Sequence, residues 1–453
     1  MSGIEIDRDA VMKKSIAEGN MVVANEESRG LLPGFGGRIC AALIWDGTDE
    51  VRIPEAMGVP RADQMQGTAR ERLTELSGRV CYDAMGVGRP SSAYFTHILQ
   101  VGHLSIMEHA AFTVEIKPRD VESLAVLMLN RPGAWTRVVE EPCDRRVRIT
   151  LNPRVILDWA THGQGDGDLA AAHLAEILFS LAAPLAPGLF ANVFPANRGI
   201  QPSLDYFGIT EAPRVVAPES DHEKWISLYL VGSRGWGNEL VRHRLNSAIS
   251  QRSTRYVDEA ESEWVMHPLL AAFQKTPVQG IATDVRTALG SFVSSLEKAM
   301  DPEKDFQNDW KIVEAVLKEI RDYASYWTDA AQPAMVAQEA KVAYLALVRH
   351  LQPWLEAKGV DKVSARKQAR GAARGLLGIA LETEVIYSAC VASWKHILTM
   401  RAADAADAEI RLGFAEAVLP CLKASRYGDR FQDFELAAAK DGIGRSLSGG
   451  GAK

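Results

Sequence analysis

The sequence ELVRHRLNSAISQRSTRY, at residues 239–256, is the densest cationic stretch of the chain. Arg242, His243 and Arg244 are consecutive, and two more arginines follow at positions 252 and 255, with serines and a threonine between them. Arginine makes charge-assisted, often bidentate hydrogen bonds to phosphate, and its planar group also stacks on rings. The alternative for a basic run is a solvated charged surface. The stretch therefore predicts either a site for a phosphorylated heterocycle or an exposed basic face.

The flanking sequence indicates both strands and helices. Residues 112–117 and 225–230 alternate in the manner of half-buried strands, and a further strand is expected at residues 146–150. A helix should follow residues 225–230 and end at Arg242, and another should begin near Asn152. Helical spacing also occurs at residues 71–84, 93–101, 120–129, 169–181, 362–377 and 382–401. The pattern predicts the α+β class with helices dominant.

Length and composition restrict the class of protein. The 453 residues are too many for one ordinary core, so two or three domain-sized units, or a duplication, are expected. Apolar residues make up 47% and charged residues 24%, which excludes a mainly disordered, collagenous or fibrous chain. The formal charge, 51 − 58 = −7, gives no overall drive to bind a nucleic acid polymer, so any phosphate must be met locally.

Cysteine usage and the N-terminus indicate a compartment. The five cysteines are widely spaced without a C-x-x-C pair, which favours neither a disulfide framework nor a cysteine zinc site and suits a reducing cytoplasm. The first ten residues carry three carboxylates where a signal peptide has basic residues. Residues 169–194 are strongly apolar, but His173, Glu176 and two prolines interrupt them. A cytoplasmic protein without membrane contact is expected.

A second candidate site lies at residues 103–109, HLSIMEH, between a helix-ending glycine and a predicted strand. Two histidines and a glutamate are residue types that bind metals. However, His103 and His109 are six residues apart, which does not place them on one helix face as an H-E-x-x-H motif would. No metal is therefore expected.

Arg374 and Arg401 form a third candidate, with Trp394, Lys395 and His396 between them. Taken alone, they are better explained as charges on helix surfaces. The chain contains no Walker loop, no strand-anchored G-x-G-x-x-G and no G-x-S-x-G motif. These absences argue against ATPase, Rossmann dehydrogenase and α/β-hydrolase functions.

Together, these segments resemble the flavin-dependent thymidylate synthases, and four pieces match in the family's order. The first is RVCYDA at residues 79–84, and the second is GHLSIMEHAAFT at residues 102–113. The third combines SR at 233–234, ELVRHR at 239–244 and SQRSTRY at 250–256. The last is Arg374, followed by SWKHILTMRA at 393–402 and AEIR at 408–411.

The resemblance implies a division of these residues between flavin and nucleotide. The implied flavin residues are Arg242, His243, Arg244 and His396, together with His103, Ser105, Glu108, Asn152 and Arg154 from the first half of the chain. The implied nucleotide pocket consists of Glu239, Arg242, Gln251, Ser253, Thr254, Arg255 and Arg374. Arg401 would lie by the pyrimidine as the catalytic residue, because a cation there favours ionisation of the ring at N3.

The activity that the resemblance implies is transfer of a one-carbon unit from methylenetetrahydrofolate to C5 of dUMP. FAD would be the cofactor and NADPH the reductant, and no cysteine nucleophile is needed. Trapping by water in place of hydride delivery would give a hydroxymethylated nucleotide, and UMP or dCMP could equally be the substrate. A homologue that binds nucleotide or flavin without catalysis is the alternative from another class.

The chain departs from the family pattern in two places. Eight residues separate Arg244 from Ser253, one more than in the family. The family also has an Asn-x-Arg sixteen residues after the arginine that aligns with Arg374, where this chain has a cysteine and an alanine at positions 390 and 392. The Asn-x-Arg pattern occurs instead at Asn152 and Arg154, in the first half of the chain.

These departures predict a diverged tandem duplication. The first repeat, residues 61–200, keeps the matched segment at residues 102–113, which we term the His103 segment. It has LNRPG at 129–133 in place of Arg-His-Arg. The second, residues 201–435, keeps the nucleotide-binding arginines and has a helical insertion at 258–345. Residues 1–60 would be an N-terminal extension and residues 436–453 a flexible tail.

The resemblance implies a thymidylate synthase-like α+β fold, rich in helix, with a small antiparallel sheet in each of the two repeats. In the family, each active site is shared among the subunits of a homotetramer. One site could therefore combine the flavin half of one repeat with the nucleotide half of the other. A homodimer of this chain is expected to mimic the family's tetramer.

Overall fold

The computed structural model of the chain describes residues 21–29, 35–54, 65–84, 89–129, 134–141, 144–165, 169–193, 204, 207–259, 262–269, 271 and 333–448. Several predicted regions lie outside the described residues. They are residues 31–34 of the loop that the sequence LLPGFGG at 31–37 predicts, residues 130–133 of the LNRPG segment, residues 194–202 of the boundary that prolines and glycines predict at 187–202, residues 272–332 of the insertion and the last residues of the tail, 449–453.

The described secondary structure is mixed. The strands are β1 (Val22–Val23), β2 (Cys40–Trp45), β3 (Phe112–Pro118), β4 (Trp135–Glu141), β5 (Asp144–Leu151), β6 (Ile209–Val216), β7 (Trp225–Ser233), β8 (Ser247–Gln251), β9 (Glu382–Cys390), β10 (Leu436–Ala438) and β11 (Arg445–Leu447). The α-helices are α1 (Ala69–Tyr82), α2 (Ser91–Gln100), α3 (Val121–Leu129), α4 (Pro153–Gly165), α5 (Leu169–Ala182), α6 (Pro187–Val193), α7 (Arg234–Leu240), α8 (Pro333–Ala357), α9 (Lys362–Ala373), α10 (Val391–Arg401), α11 (Ala408–Leu412) and α12 (Leu419–Lys423). Shorter 3-10 turns occupy Glu26–Ser28, Leu104–His109, Ala183–Leu185, Arg374–Leu376 and Gly428–Phe431, and a π-helical turn, Gly413–Val418, joins α11 to α12. Among these helices, none is both long enough and apolar enough to cross a membrane.

The larger sheet has the strand order β1-β2-β7-β9-β8, and each neighbouring pair is antiparallel. Successive side chains of a strand point to opposite faces. On one face, Leu228 and Tyr387 pack with side chains of α7 and α10. On the other face, Tyr229 and Ile386 pack with side chains of α1. The sheet is therefore covered by helices on both sides.

One predicted helix is wrong over half of its length. Residues 382–401 were expected to be helical throughout, but residues 382–390 form β9 and α10 begins only at Val391. Val385, Ile386 and Tyr387 are β-branched or aromatic, which favours a strand. β9 lies between two strands and is covered by helices on both faces. Its sequence is therefore a nearly continuous apolar run, and periodicity does not distinguish such a strand from a buried helix.

The predicted N-terminal extension contributes to the larger sheet. Cys40 in β2 lies opposite Val231 in β7, the pairing continues to Trp45, and β1 pairs with β2. The side chains of Cys40, Ile44 and Trp45 are buried. The described part of residues 1–60 is therefore integral to the fold.

The smaller sheet has the order β4-β5-β3-β6, again antiparallel throughout. Its apolar face, which includes Val114 and Ile149, packs against α3, α4 and α5. On the other face, the Arg148 guanidinium lies 3.1 Å from Glu115 and 2.9 Å from Glu223. β6 belongs to this sheet although it falls beyond the predicted repeat boundary at residue 201.

The two sheets are connected in the same order. In the smaller sheet, β3 leads through α3 to the edge strand β4, and β5 then inserts between β4 and β3 before α4 begins. In the larger sheet, β7 leads through α7 to the edge strand β8, and β9 inserts between β8 and β7 before α10 begins. Each sheet therefore contains a split β-α-β unit of the same order.

Other predicted elements agree with the structure. The strands expected at 112–117, 146–150 and 225–230 are β3, β5 and β7, and the helices expected at 71–84, 120–129 and 169–181 are α1, α3 and α5. The helix after Asn152 is longer than expected: the sequence predicts a helix through Trp159 and a loop of glycines and acids at residues 163–168, but α4 continues to Gly165. In the insertion, α8 runs past residue 345 and packs against α9.

Candidate functional site

Arg401, at the end of α10, lies between an acid and a histidine. Its Nη1 is 2.8 Å from Glu239 Oε2, and its Nε donates to His243 Nε2 at 3.0 Å. The His243 ring meets the His396 ring edge-on, with the ring centroids 5.8 Å apart. Glu239 Oε1 also lies 3.7 Å from Arg242 Nε. We term these five residues the Arg401 cluster.

Secondary structure holds the Arg401 cluster in place. The Ser233 side chain caps α7, the helix that carries Glu239. The carbonyl oxygen of His243 accepts a hydrogen bond from the Tyr387 hydroxyl at 2.8 Å and another from Ser247 Oγ at 2.7 Å. These two bonds fix the backbone at His243 against β9 and β8.

The environment of His243 favours the neutral imidazole. Burial lowers the pKa of His243, and the positive charges of Arg401 and His396 lower it further. A neutral ring has one nitrogen that accepts a hydrogen bond, and the bond from Arg401 identifies that nitrogen as Nε2. His243 therefore orients the Arg401 guanidinium without repelling it.

The segment between Arg244 and Ser253 begins with a turn before β8. Asn246 adopts a left-handed backbone conformation with φ of 47°, which asparagine tolerates better than most residues. Ser393 Oγ donates to the Leu245 carbonyl at 2.6 Å, which ties the turn to the start of α10. β8 then pairs with β9 in continuous register.

Residues 251–256, which we term the anion loop, lie beside the N-terminal half of α7. The Ser253 amide donates to the Cys81 carbonyl at 2.9 Å, so the loop is attached to the end of α1. The Arg255 amide donates to Ser253 Oγ at 3.3 Å. The Arg234 guanidinium lies 3.4 Å from the carbonyl oxygen of Arg252. The loop backbone is therefore fixed from both sides.

Four further predicted nucleotide residues lie in or near the anion loop. Gln251 Nε2 is 3.4 Å from Thr383 Oγ1, and both Gln251 and Thr254 are partly buried. Arg255 and Arg374 are exposed, and no carboxylate in the described part of the chain is within ion-pair distance of either. The charge of Arg374 lowers the pKa of Arg234, which places Arg374 near the start of α7.

A buried ionic network lies under the anion loop. Arg252, only 7% exposed, has guanidinium nitrogens 3.5 Å from Glu384 Oε1 and 3.6 Å from Asp83 Oδ2. Arg234 Nη2 is 2.9 Å from Glu259 Oε1. Removing one member of a buried pair leaves the other charge uncompensated, which is strongly destabilising. Arg252, which the sequence grouped with the phosphate-binding cations, is therefore a structural residue.

Tyr82, the last residue of α1, connects the two halves of the chain at the anion loop. Its ring contacts the His103 ring at a centroid distance of 5.1 Å and the Tyr256 ring at 4.7 Å, both edge to face. Burial raises the pKa of Tyr82 to about 12 and lowers the pKa of His103. The first-half His103 segment and the second-half anion loop thus lie together within one chain.

The other first-half candidates surround the start of α4. Asn152 Oδ1 accepts from a backbone amide of the first turn at 3.1 Å, so Asn152 caps this helix. Arg154 Nε lies 2.8 Å from the Asp158 carboxylate. Burial raises the pKa of Glu108, and the charge of Arg154 lowers it, which places these two side chains near each other. Ser105 is partly buried in the same 3-10 turn as Glu108.

His109 is fully buried and has hydrogen-bond partners on both ring nitrogens. Nδ1 lies 2.7 Å from Ser388 Oγ, and Nε2 lies 2.9 Å from Ser250 Oγ. Burial lowers the pKa of His109 to about 3. Hydroxyl groups satisfy the whole ring, so His109 joins the 3-10 turn to β8 and β9.

One further group of metal-ligand residue types lies elsewhere. One ligand atom from each of His267, Asp407 and Glu409 falls within 4.8 Å of the other two. His267 Nδ1 accepts from the Leu269 amide at 3.2 Å, so in the neutral ring Nε2 carries the proton. Nε2 lies 3.1 Å from Asp407 Oδ1. A hydrogen bond accounts for this geometry.

The structure thus brings the predicted residues together in three places: the Arg401 cluster, the anion loop, and the turn with Glu108. The first two lie at opposite ends of α7, and among the described residues no hydrogen bond or ion pair joins them. Sequence reasoning assigned no role to Tyr82 or Tyr256, although both lie in matched segments. It also missed Lys367, whose Nζ lies 4.6 Å from the Tyr256 ring centroid, because nothing in the local sequence indicates this contact.

Comparison with known proteins gives consistent matches. Residues 225–424 match the family model described as thymidylate synthase complementing protein. This region contains the Arg401 cluster, the anion loop and Arg374, and it excludes the His103 segment.

The matching curated relatives are described as flavin-dependent thymidylate synthases. A flavin-dependent thymidylate synthase of Mycobacterium avium is 31% identical over 225 residues, covering 48% of this chain and 64% of the relative. The enzyme of Mycolicibacterium gilvum is 30% identical over 220 residues, with the same coverage. The chain thus spans about 64% of the length of these curated relatives.

A solved structure also matches. It is thymidylate synthase X from Helicobacter pylori with FAD and dUMP, with a TM-score of 0.23 and 16% identity, covering 47% of this chain and 74% of that one. Residues 225–424 of this chain are therefore similar in sequence to the thymidylate synthase complementing protein family and to the flavin-dependent thymidylate synthases.

Proposed function

We propose that this protein is a flavin-dependent enzyme that transfers a one-carbon unit from methylenetetrahydrofolate to C5 of a pyrimidine nucleotide of the dUMP type. The observation that carries the proposal is the Arg401 cluster. It combines an oriented cation, a neutral histidine and one exposed arginine, Arg242, within the region that matches the family.

The anion loop is the proposed site of the nucleotide phosphate. Arg255 and Arg374 have no carboxylate partner among the described residues, so their guanidinium groups are available to an anion. The Ser253 and Thr254 hydroxyls stand beside them in the sequence and supply neutral donors. The backbone of the loop is already fixed by Cys81, which reduces the ordering cost of binding.

Arg401 is the proposed stabiliser of negative charge on the pyrimidine ring. The bond to His243 and the pairing with Glu239 hold the guanidinium in one orientation. A fixed cation stabilises a developing anion without reorganisation at the moment of reaction. The ring carbon C5 becomes a better nucleophile when N3 is ionised, and this is the role assigned to Arg401.

Arg242 and His396 of the Arg401 cluster, together with the neighbouring Arg244, fit FAD. Arg242 and Arg244 are exposed, and the described residues include no carboxylate within ion-pair distance of Arg244. Two such guanidinium groups suit a pyrophosphate, and the exposed His396 ring suits a planar group. When bound, the flavin supplies hydride chemistry. NADPH is the proposed reductant.

The first half of the chain is proposed to complete the site. His103 contacts the anion loop through Tyr82, and Glu108 lies beside Arg154. The identical order of connections in the two sheets supports the proposal that the chain is a duplication. Two chains would then form an assembly equivalent to the family's tetramer, with the sites shared between them.

A second candidate is flavin-dependent hydroxymethylation of dUMP, UMP or dCMP. The observation that favours it is the longer turn at Leu245 and Asn246, directly after Arg244. A change in this turn alters the surroundings of the flavin-binding arginines and therefore the access of water. A nucleotide- or flavin-binding protein without catalysis remains the alternative if no product forms.

One experiment tests these proposals together. Purified protein is expected to be yellow, or to become so with added FAD, and to show a flavin absorbance spectrum. Incubation with NADPH, methylenetetrahydrofolate and dUMP, UMP or dCMP, followed by mass spectrometry, should give a methylated or hydroxymethylated nucleotide. A colourless protein that takes up no FAD would overturn both catalytic functions, and bound FAD without any product would favour the non-catalytic protein.

A further inference from the structure

Helix α9, which lies beyond the predicted insertion, packs against the anion loop. Ala365, Ala369 and Ala373 form its buried stripe. Lys367, Gly371 and Arg374 are three and four residues apart, so they share another face of the helix. That second face is the one that meets the loop.

The contacts between α9 and the loop are specific. Arg370 Nη1 donates to the Tyr256 carbonyl at 2.9 Å, and Nη2 donates to Asp258 Oδ2 at 2.6 Å. The Lys367 ammonium lies over the Tyr256 ring, 4.6 Å from its centroid. These bonds attach the C-terminal end of the anion loop to α9, just as the Ser253 amide attaches its middle to α1.

The Arg255 side chain lies along α9 at a glycine. Arg255 Cγ is 4.0 Å from the position that a Cβ atom on Gly371 would take. Lys367 is one turn before Gly371 on the helix, and Arg374 is about one turn after it. The side chains of three cationic residues therefore start near Gly371, one from the loop and two from the helix.

These three cations are not neutralised by the protein. In the regions that the structure describes, no carboxylate is within ion-pair distance of Arg255, Lys367 or Arg374. The chain as a whole has a net charge of −7, so a group of unpaired cations has the opposite sign to the net charge of the protein. Like charges held close together are unfavourable unless an anion joins them.

We propose that Lys367 is a third phosphate ligand, beside Arg255 and Arg374, and that Arg370 is a positioning residue that holds the anion loop on α9. The location of the nucleotide phosphate at Arg255 and Arg374 rests on the proposed function. The addition of Lys367 and Arg370 rests on the contacts of α9. The aromatic face of Tyr256 orients the Lys367 ammonium and leaves its N–H groups free for a phosphate.

The ligand role of Lys367 is tested by binding of dUMP, deoxyuridine and inorganic pyrophosphate to the full-length protein, measured by calorimetry. Lys367→Gln is expected to weaken dUMP and pyrophosphate binding by about tenfold, the effect of losing one charge-assisted hydrogen bond. Deoxyuridine, which has no phosphate, should bind both proteins equally. The matched control is Lys362→Gln, an exposed lysine on the same helix, which should bind all three probes as the wild type does.

The positioning role of Arg370 is tested by hydrogen exchange. Arg370→Ala should increase amide exchange at residues 253–258 and weaken dUMP binding, while the unfolding midpoint of the protein stays unchanged. Asp258→Asn removes the partner of the same ion pair and should give the same increase, with no further effect in the double variant. Arg366→Ala, an exposed arginine on α9, is the control and should leave exchange in the loop unchanged.

The possible outcomes separate this inference from the proposed function. If wild-type protein binds dUMP and Lys367→Gln binds it equally well, Lys367 is not a ligand and the proposed function stands. If anion binding depends on Lys367 but no nucleotide is converted, the proposed function fails and the ligand role of Lys367 is confirmed. If exchange at residues 253–258 does not respond to Arg370→Ala, the positioning role is wrong whether or not any ligand binds.

Discussion

Arg401 is oriented by two side chains of different charge. Glu239 provides a carboxylate at 2.8 Å, and His243 provides a neutral acceptor at 3.0 Å. If His243 were protonated, its ring could not accept from Arg401 and would repel it. The burial of His243 therefore contributes to holding Arg401 in the orientation that its proposed role requires.

Replacing Arg401 with alanine should remove most of the catalytic activity. We expect turnover of the pyrimidine nucleotide to fall by about 100- to 1000-fold, the range found when one stabiliser of transition-state charge is lost. FAD absorbance should remain, because Arg242 and Arg244 are still present. Turnover is measured by mass spectrometry of the product nucleotide. Arg349→Ala, at an exposed arginine of α8, is the control; turnover near the wild-type rate in Arg401→Ala would exclude the assigned role.

His109 should make the stability of the protein depend on pH. Burial lowers its pKa from 6.5 to about 3, so between these values the unfolded chain binds more protons than the folded one. The contribution of neutral His109 to the free energy of unfolding is therefore fully present above its ordinary pKa. It is lost as the pH falls toward 3, by at most about 1.4 kcal/mol per pH unit.

The pH dependence is measured as the free energy of unfolding in urea between pH 7 and pH 4. His109→Gln keeps an amide that can bond to Ser250 and Ser388 but does not titrate, so its curve should be flatter. His350→Gln, at an exposed histidine of α8, should keep the wild-type slope. An equal slope in His109→Gln and the wild type would contradict the prediction.

Some residues of the candidate site could be predicted from the sequence, and others could not. Arg242, His243 and Arg401 were predicted as site residues from their chemistry within matched segments, and the structure places them in one cluster. The contacts of Tyr82 with His103 and of Lys367 with Tyr256 could not be, since they join parts of the chain that only the tertiary fold brings together. The structural role of Arg252 could not be predicted, because the sequence does not show that Glu384 of β9 and Asp83, at the end of α1, lie beside it.

At the scale of elements, β9 and α10 show when periodicity is informative. In α10, Val391, Trp394 and Leu398 are buried at helical spacing, and the helix was predicted correctly from residue 391 onward. In β9, burial on both faces removes the alternation that identifies a strand. The edge strand β8 was not predicted for a different reason, since its residues were interpreted as part of a binding motif.

Glu71 caps two helices at once. Its Oε2 accepts from the Thr68 amide at 2.7 Å, which completes a capping box at the start of α1. Its Oε1 accepts from the amides of Gly188 and Leu189 at the start of α6. One carboxylate therefore joins two helices that are far apart in sequence.

Substituting Glu71 should destabilise the fold more than the loss of an ordinary cap. Glu71→Ala is expected to lower the free energy of unfolding by about 2 to 4 kcal/mol, because three amides lose a charged acceptor. Glu71→Gln keeps one acceptor oxygen and should be intermediate. Urea unfolding measures both, with Glu27→Ala at an exposed position as the control. A change below about 1 kcal/mol in Glu71→Ala would show that water replaces these bonds.

At the scale of the whole molecule, the two sheets have the same order of connections, which agrees with the duplication predicted from the distribution of motifs. The duplication remains our proposal. The repeat boundaries were the weakest part of the prediction. β2, from the predicted extension, joins the larger sheet, and β6, from beyond residue 201, joins the smaller one. Sequence motifs mark the functional loops of each unit and carry no information about which distant strand completes its sheet.

If the site is shared between two chains, two inactive variants should complement each other. We expect Arg401→Ala and Arg374→Ala each to be inactive at low nucleotide concentration, because one removes the catalytic cation and the other a phosphate ligand. In an equal mixture of co-expressed chains, half of the dimers are mixed, and each mixed dimer has one site with both substitutions and one site with neither. Activity should therefore return to about one quarter of the wild-type value, as two-fold symmetry requires.

The measurement is nucleotide turnover by the unseparated mixture and by mixed dimers isolated through two different affinity tags; the isolated dimers should show about one half of the wild-type value, because one of their two sites is intact. The control is a mixture of Arg401→Ala chains carrying the two tags, in which no intact site can form under any arrangement. If Arg401 and Arg374 of the same chain act in one site, every site in the mixed dimer carries one substitution, and activity stays at the level of the single variants. Isolated mixed dimers without recovered activity would thus place the complete site within one chain, because α7 alone separates the Arg401 cluster from the anion loop.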